Sequence, residues 1–394
     1  MKNLYLYSLI ISFATLISCN NNRAQLSGST IDPNDTINEK AMSESSKLYL
    51  FVGTYTMGDS EGVYVYKFDT ISGNAQFCSS QKVDNPSYLT ISKDGKFIYS
   101  VAENNNNTAA ANAFEFNKED GSISPINTQL TGGADPCYIT LDEGGKHVVT
   151  ANYSGGSMTL FNVKEKGVLD VASQVINFSG KGVNAERQNA PHIHCVQYSP
   201  DGNYLFATDL GTDRIYKFKV SNDSANYLMP GEPAYFKVAD GSGPRHFGFH
   251  PNGKYVYLLN ELSGSVIAFN YSKETGDFSE FQAIQADTLN AGGSADIHVS
   301  PDGRFLYTSH RLEGDGIAVF SINQLDGSLT KVGYQPTNKH PRNFVITPNG
   351  KFLLVASRDD NTIQVFLIDS KTGLLEDTRQ DIIVDMPVCL KFVL

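Results

Sequence analysis

The sequence predicts an all-β chain, a seven-bladed β-propeller with four antiparallel strands per blade and one blade closed jointly by N- and C-terminal strands. Three observations predict it. Hairpin-turn glycines recur at Gly95, Gly145, Gly202, Gly253, Gly303 and Gly350, an interval of about 50 residues, which is propeller-blade rather than solenoid length. Each is flanked by short apolar, Tyr/Phe-rich runs, as in "VSPDGRFLYTSH" and "FHPNGKYVYLLNE". Asp-Gly or Asn-Gly between such runs supplies the positive φ of a tight hairpin turn. A seventh copy is divided: "MPVCLKFVL" at the C-terminus reads as a first strand lacking its turn, and "KLYLFVGTYTMGDSEGVYVYKFD" reads as the remainder. Joining the two closes the ring and removes free sheet edges.

Taken in chain order, the first element is not part of the ring. "MKNLYLYSLIISFATLISC" has a charged start, an apolar run and a small residue before a cysteine, the pattern of a secretory signal ending in a lipobox. Residues 1–19 are therefore expected to be a signal peptide, with Cys19 the lipidation site. The expected location is the cell envelope, as an exported lipoprotein of the periplasm or outer membrane of a Gram-negative bacterium, held to the membrane by its lipid. Residues 20–46, rich in Asn, Ser, Asp and Thr, read as a flexible tether. Residues 47–394 form the propeller domain, with no linker or composition shift to divide it. Near-constant spacing and the split copy argue against a solenoid or paired sandwiches, and the absence of Trp argues against a WD-repeat propeller. Counting the split blade as the first, the long connection "VINFSGKGVNAERQNAPHIH" joins the third and fourth blades. It exceeds the other blade connections and is expected to reach over one face.

Composition removes some functions. The 394 residues carry a net charge of −11, which excludes a general nucleic-acid or anionic-membrane binder but leaves room for a local basic pocket. Cys78, Cys137, Cys195 and Cys389 show no C-x-x-C pair and no metal-ligand spacing, so buried free thiols and no metal or cofactor are expected. His298, His310 and the "HIH" triplet form no closed ligand set. "YSGGS" is a loop without a following helix, not a phosphate cradle.

Aligning the copies exposes a face. The second strand of each hairpin ends in Glu103, Tyr153, Leu210, Glu261, Arg311 and Arg358, with Thr54 in the split blade; the first strand begins with Ser87, Cys137, His194, Arg245, Ala295 and Arg342, with Val388. These columns are hairpin neighbours far from the turn, so they converge on the opposite face. In a propeller the first strand lines the central channel. Of these, His194, Arg245, Glu261, Arg311 and Arg342 are the ionisable set expected on the rim of the channel mouth, one His, one Glu and three Arg; rim charges can also be solvated or merely pin neighbouring blades together.

At "GPRHFGFHPNGKYVYLLNEL", "SADIHVSPDGRFLYTSHR" and "HPRNFVITPNGKFLLVAS" the sequence resembles the lactonase propeller family, which contains bacterial 6-phosphogluconolactonases and fungal carboxy-muconate lactonizing enzymes. "ANYSGGS", "ERQNAPHIH", "DLGTDRIYKF" and "PVCLKF" extend the resemblance over nearly everything from Lys47 onward. The resemblance implies a lactone-opening or lactone-closing enzyme that uses no metal. It implies His194 and Glu261 as the catalytic acid/base pair, and Arg245 and Arg311 as the cations that hold a substrate anion; the internal alignment adds Arg342. The implied partner is a small sugar lactone or sugar acid, with 6-phosphogluconolactone the family's default. That phosphorylated sugar arises in the cytoplasm, in tension with an exported protein. The alternatives are a non-enzymatic envelope propeller that binds an acidic sugar or a protein, and a muconate-type lactonizing cyclase.

Overall fold

The computed structural model describes residues 46–223 and 226–393. The segment expected to be a signal peptide, with Cys19, and the expected tether up to residue 45 lie outside the described residues. What the turn spacing anticipates is present: seven sheets, each a simple antiparallel meander. From the channel outward, blade 1 orders Pro387–Val393, Lys47–Thr54, Gly62–Asp69 and Ala75–Lys82. The innermost strands of blades 2 to 7 are Leu89–Ile91, Pro136–Leu141, Ile193–Tyr198, Pro244–Phe249, Ser294–Val299 and Pro341–Ile346. Consecutive inner strands pack on one another around the whole circle, and Pro387–Val393 lies between those of blades 7 and 2. Blade 7 departs from four regular strands, because its outer strand is broken into Leu375–Asp377 and Ile382–Ile383, both paired with Thr362–Ile368.

The repeated turn has a local cause. In blade 6 the Gly303 amide donates to the Ser300 carbonyl at 2.8 Å. The Asp302 carboxylate accepts from the Ser300 hydroxyl at 2.6 Å and the Arg304 amide at 3.0 Å. Gly303 has φ +74°, a conformation a side chain resists. The residue before each turn glycine stays out of the left-handed region, so the hairpin closes through a four-residue turn and not the two-residue form that Asp-Gly also allows.

Apolar packing lies between blades rather than in one central core. One cluster joins blades 4 and 5 through Phe206, Phe247, Val256 and Phe278, with Phe206 and Phe278 stacked at 4.4 Å. Another joins blades 6 and 7 through Tyr307, Phe344, Leu353 and Phe366. Tyrosines tie neighbours together: Tyr257 donates to the Gly327 carbonyl at 2.8 Å, and Tyr307 to that of Gly373 at 2.9 Å. A Cβ on Gly327 would fall 2.7 Å from the Tyr255 ring, so that contact requires glycine. Of the four later cysteines, Cys137, Cys195 and Cys389 are buried free thiols as expected, whereas Cys78 is also free but partly exposed because it lies on an outer strand. No helix among the described residues is long and apolar enough to cross a membrane.

Candidate active site

The two aligned columns do converge on one mouth of the channel, and the reason is a recurring β-bulge. In blade 5 Pro244 pairs with Asn260 and His246 with Leu259, leaving Arg245 as the extra residue. The same break leaves His194 extra in blade 4, Cys137 in blade 3 and Arg342 in blade 7. A bulge re-aims the side chain it carries, so each of these four blades presents one residue out of register with the ladder. The second column follows directly after its strand, and the Glu261 amide is tied back to the Gly243 carbonyl at 2.7 Å.

Glu261 is the electrostatic centre of the ring. Arg187 Nη2 lies 2.7 Å from Oε1, Arg245 Nε 2.8 Å from Oε2, and Arg311 Nη2 3.5 Å from Oε1. Burial alone would raise the pKa of this carboxyl, but Arg311, Arg245 and Arg187 outweigh it and hold it at about 2. Arg245 is fixed by donating to the Ala295 carbonyl at 2.5 Å, and Arg311 by donating from Nε to the Gly293 carbonyl at 2.8 Å. Burial pulls Arg311 down to about 9, with Glu261 opposing. A guanidinium so placed still carries its charge at neutral pH.

A second carboxylate completes the ring. Glu103 accepts from the Tyr55 hydroxyl at 3.0 Å and from the Ser87 hydroxyl, and Arg342 Nη2 approaches it at 3.9 Å while lying over the Tyr55 ring. Burial raises the Glu103 pKa despite Arg342. Four guanidiniums therefore meet two carboxylates, an excess of two positive charges in a chain of net −11. Arg358, in the same column, is taken up by Asp359 at 2.5 Å at the edge of the mouth.

His194 is buried, with Nδ1 3.8 Å from Cys137 Sγ and its ring edge-on to Tyr153 and His246. Burial, then the charges of Arg245, His246 and Arg342, push its pKa well below the usual value, so the imidazole is neutral at pH 7. Beneath the ring, Asp296 accepts from His246 Nδ1 at 2.8 Å and His298 Nε2 at 2.9 Å, and also from Asn343. That arrangement turns His246 Nε2 toward Arg245 at 3.4 Å. A cavity of about 340 Å³ on the far side of this layer contains none of the four arginines.

All five residues expected at the mouth are thus brought together there: His194, Arg245, Glu261, Arg311 and Arg342. His310, one position before Arg311, points away, buried between the Ser294 and Thr308 hydroxyls at 2.8 Å each. Four contributors were not singled out from sequence. Glu103 and Tyr153 stood in the aligned column without a role, Tyr55 follows it by one residue, and Arg187 comes from the long connection. One expectation of the chemistry changes. His194 and Glu261 were to be base and acid in either order, but both are deprotonated at neutral pH, because the arginines that favour the carboxylate also disfavour an imidazolium.

A ring of arginines, two of them buried, around a carboxylate and a neutral imidazole at the mouth of a closed propeller defines an enzyme-like site for a small anionic molecule. The chain belongs to the lactonase seven-bladed β-propeller family, whose model, "Lactonase, 7-bladed beta-propeller", matches residues 49–392. It is 40% identical over 341 residues to a 6-phosphogluconolactonase of Formosa agariphila, covering 85% of this chain and 97% of that one. A solved Bacteroides fragilis protein superposes with a TM-score of 0.87 at 54% identity, covering 89% of this chain and 99% of that one. The periplasmic gluconolactonase of Pseudomonas aeruginosa superposes with a TM-score of 0.83 at 32% identity, over the same two shares.

Proposed function

We propose that this chain hydrolyses a sugar lactone that carries an anionic group, of which 6-phosphogluconolactone is the representative substrate. The observation that carries the reading is the excess of two positive charges in the ring, since guanidinium forks suit a phosphate or carboxylate. The Formosa agariphila relative is named for the same reaction.

In this reading Arg311 and Arg342 bind the anion, and the lactone carbonyl lies over the channel between Glu261 and His194. Glu261 accepts a proton from the attacking water. His194, as a neutral imidazole, donates a hydrogen bond to the carbonyl oxygen as it becomes an oxyanion. Neither group enters protonated, so the proton that Glu261 takes from water is the one it returns to the departing ring oxygen. The water's oxygen becomes one oxygen of the new carboxyl group, the C–O ring bond breaks, and the hydroxy acid leaves, its carboxyl losing water's second proton to solvent.

The same reading places the protein in the envelope, lipidated at Cys19, where its lactone is extracytoplasmic. The name of the Pseudomonas aeruginosa neighbour, a periplasmic gluconolactonase, supports this. Cys19→Ala is expected to move the protein from the membrane to the soluble fraction; unchanged membrane association refutes the anchor. For the reaction, acid release is followed by pH-stat with 6-phosphogluconolactone and neutral glucono-1,5-lactone. Wild type is expected to exceed the spontaneous rate and a His194→Ala/Glu261→Gln double variant to match it. Identical, spontaneous rates for both proteins on both lactones would end the enzyme reading.

A further inference from the structure

The connection between blades 3 and 4 supplies one cation whose placement differs from that of the others. Its backbone is pinned next to that cation. Gln188 is buried and donates to the Leu210 carbonyl at 2.9 Å and Asp213 Oδ1 at 2.8 Å, and its amide donates to the Asn184 carbonyl at 2.7 Å. The Asn184 side chain in turn accepts from the Arg187 amide at 3.1 Å. The Arg187 side chain, by contrast, is 39% exposed, against 2% for Arg245 and 7% for Arg311. Arg245 and Arg311 are each also held by a backbone carbonyl, whereas among the described residues the Arg187 side chain meets Glu261 and the Tyr153 hydroxyl in the ring and no backbone carbonyl. It is the cation best placed to change partners.

We propose that Arg187 makes Glu261 responsive to the substrate's anionic group: it holds Glu261 Oε1 in the empty site, and an incoming phosphate dianion draws it away and frees that oxygen for the attacking water. The proposal rests on the lactonase reading of this site. A guanidinium is attracted more strongly to a dianion than to a monoanionic carboxylate at equal distance, so the exchange is favourable where Arg187 can reach the ligand. Once it departs, Glu261 keeps Arg245 from blade 5 and Arg311 from blade 6, with Tyr153 from blade 3 and Arg342 from blade 7 as the remaining ionisable neighbours. The loss of its closest cation makes the carboxylate a stronger base at the moment the substrate is seated. Arg187 is thus a specificity-determining residue that rewards an anionic lactone over a neutral one.

The test compares Arg187→Gln with the full-length wild type on both lactones. For the phosphorylated lactone KM is expected to rise about tenfold. For neutral glucono-1,5-lactone, which never displaces Arg187, kcat/KM is expected to rise several-fold, with the acid limb of its pH profile moved to higher pH. Inorganic phosphate is expected to accelerate wild-type turnover of the neutral lactone and to leave the variant's rate unchanged; Arg187→Lys restores part of the preference for the phosphorylated substrate. Equal loss on both lactones, as a merely structural role would give, overturns the proposal, as does phosphate acting equally on both proteins. If wild type turns over no lactone, the enzyme reading fails separately. Phosphate calorimetry then decides the Arg187 assignment, sustained by a tenfold or greater loss of affinity in Arg187→Gln and overturned by equal affinity.

Discussion

Replacing Glu261 by Gln keeps the shape of the side chain and removes the charge on which three guanidiniums converge at 2.7, 2.8 and 3.5 Å. The cost follows from linkage. The carboxyl is 6% exposed and its pKa falls from 4.5 to about 2 on folding, which corresponds to about 3 kcal/mol of stability at neutral pH. The folded value lies below the unfolded one, so that stability is fully present above about pH 4.5 and is lost as pH falls through about 2. Breaking one side of a buried ion pair costs ~3–5 kcal/mol in general, and Gln retains an acceptor oxygen, so the low end applies. Urea unfolding of both proteins, followed by far-UV circular dichroism because the chain has no Trp, is expected to show a gap of about 3 kcal/mol at neutral pH. The gap should narrow progressively in acid. A gap below about 1 kcal/mol at neutral pH, or one that does not change in acid, would refute the electrostatic account of the ring.

Three further outcomes are expected. His194→Ala should lower kcat on a lactone by ~10²–10⁴ while KM moves only a few-fold; a pure KM effect would make His194 a binding group. Arg342→Met should raise KM for the phosphorylated lactone by about tenfold, or ~1.4 kcal/mol, and leave KM for the neutral lactone nearly alone, as steady-state kinetics on the two would show. Burial holds His310 at about 4, below its unfolded value, so its contribution is complete above about pH 6.5 and is lost as pH falls through about 4. Unfolding of His310→Gln should therefore depend less steeply on pH across that window, by about 1.4 kcal/mol per pH unit; parallel curves for the two proteins would exclude that role.

The ring of blades was legible because its unit is local. Ser300, Asp302 and Gly303 close their own turn, and a self-contained turn repeated at constant spacing appears in the sequence as it does in space. The two columns were legible for the same reason, since counting from each turn reaches His194, Arg245, Glu261, Arg311 and Arg342 without knowledge of the fold. Why the first column faces the channel was not legible: the bulge at Arg245 changes pairing across the hairpin while leaving the residue count of either strand unremarkable. Arg187 escaped for a different reason. The connection contains Lys181 as well, and which cation turns inward depends on Gln188 anchoring to Asp213 in another blade. Glu103 carried no role because its partner Arg342 is distant in the chain and near it only after the circle closes. The protonation states of His194 and Glu261 depend on burial and on summed charge, which no local pattern records.

The seam in blade 1 bears on timing. The innermost strand of that blade is Pro387–Val393, paired with Tyr49–Thr54, and the Leu390 amide donates to the Asn343 side chain that also holds Asp296. Until that segment is in place, Lys47–Thr54 has an unpaired edge and the channel lacks one of its seven walls. During synthesis from the N-terminus, every other blade emerges before this one can be completed. Only the side of the ring that spans this seam, where Arg342, Tyr55 and Glu103 meet, has to wait for that closure, and a chain ending short of Pro387 loses a wall of its channel rather than an outer strand.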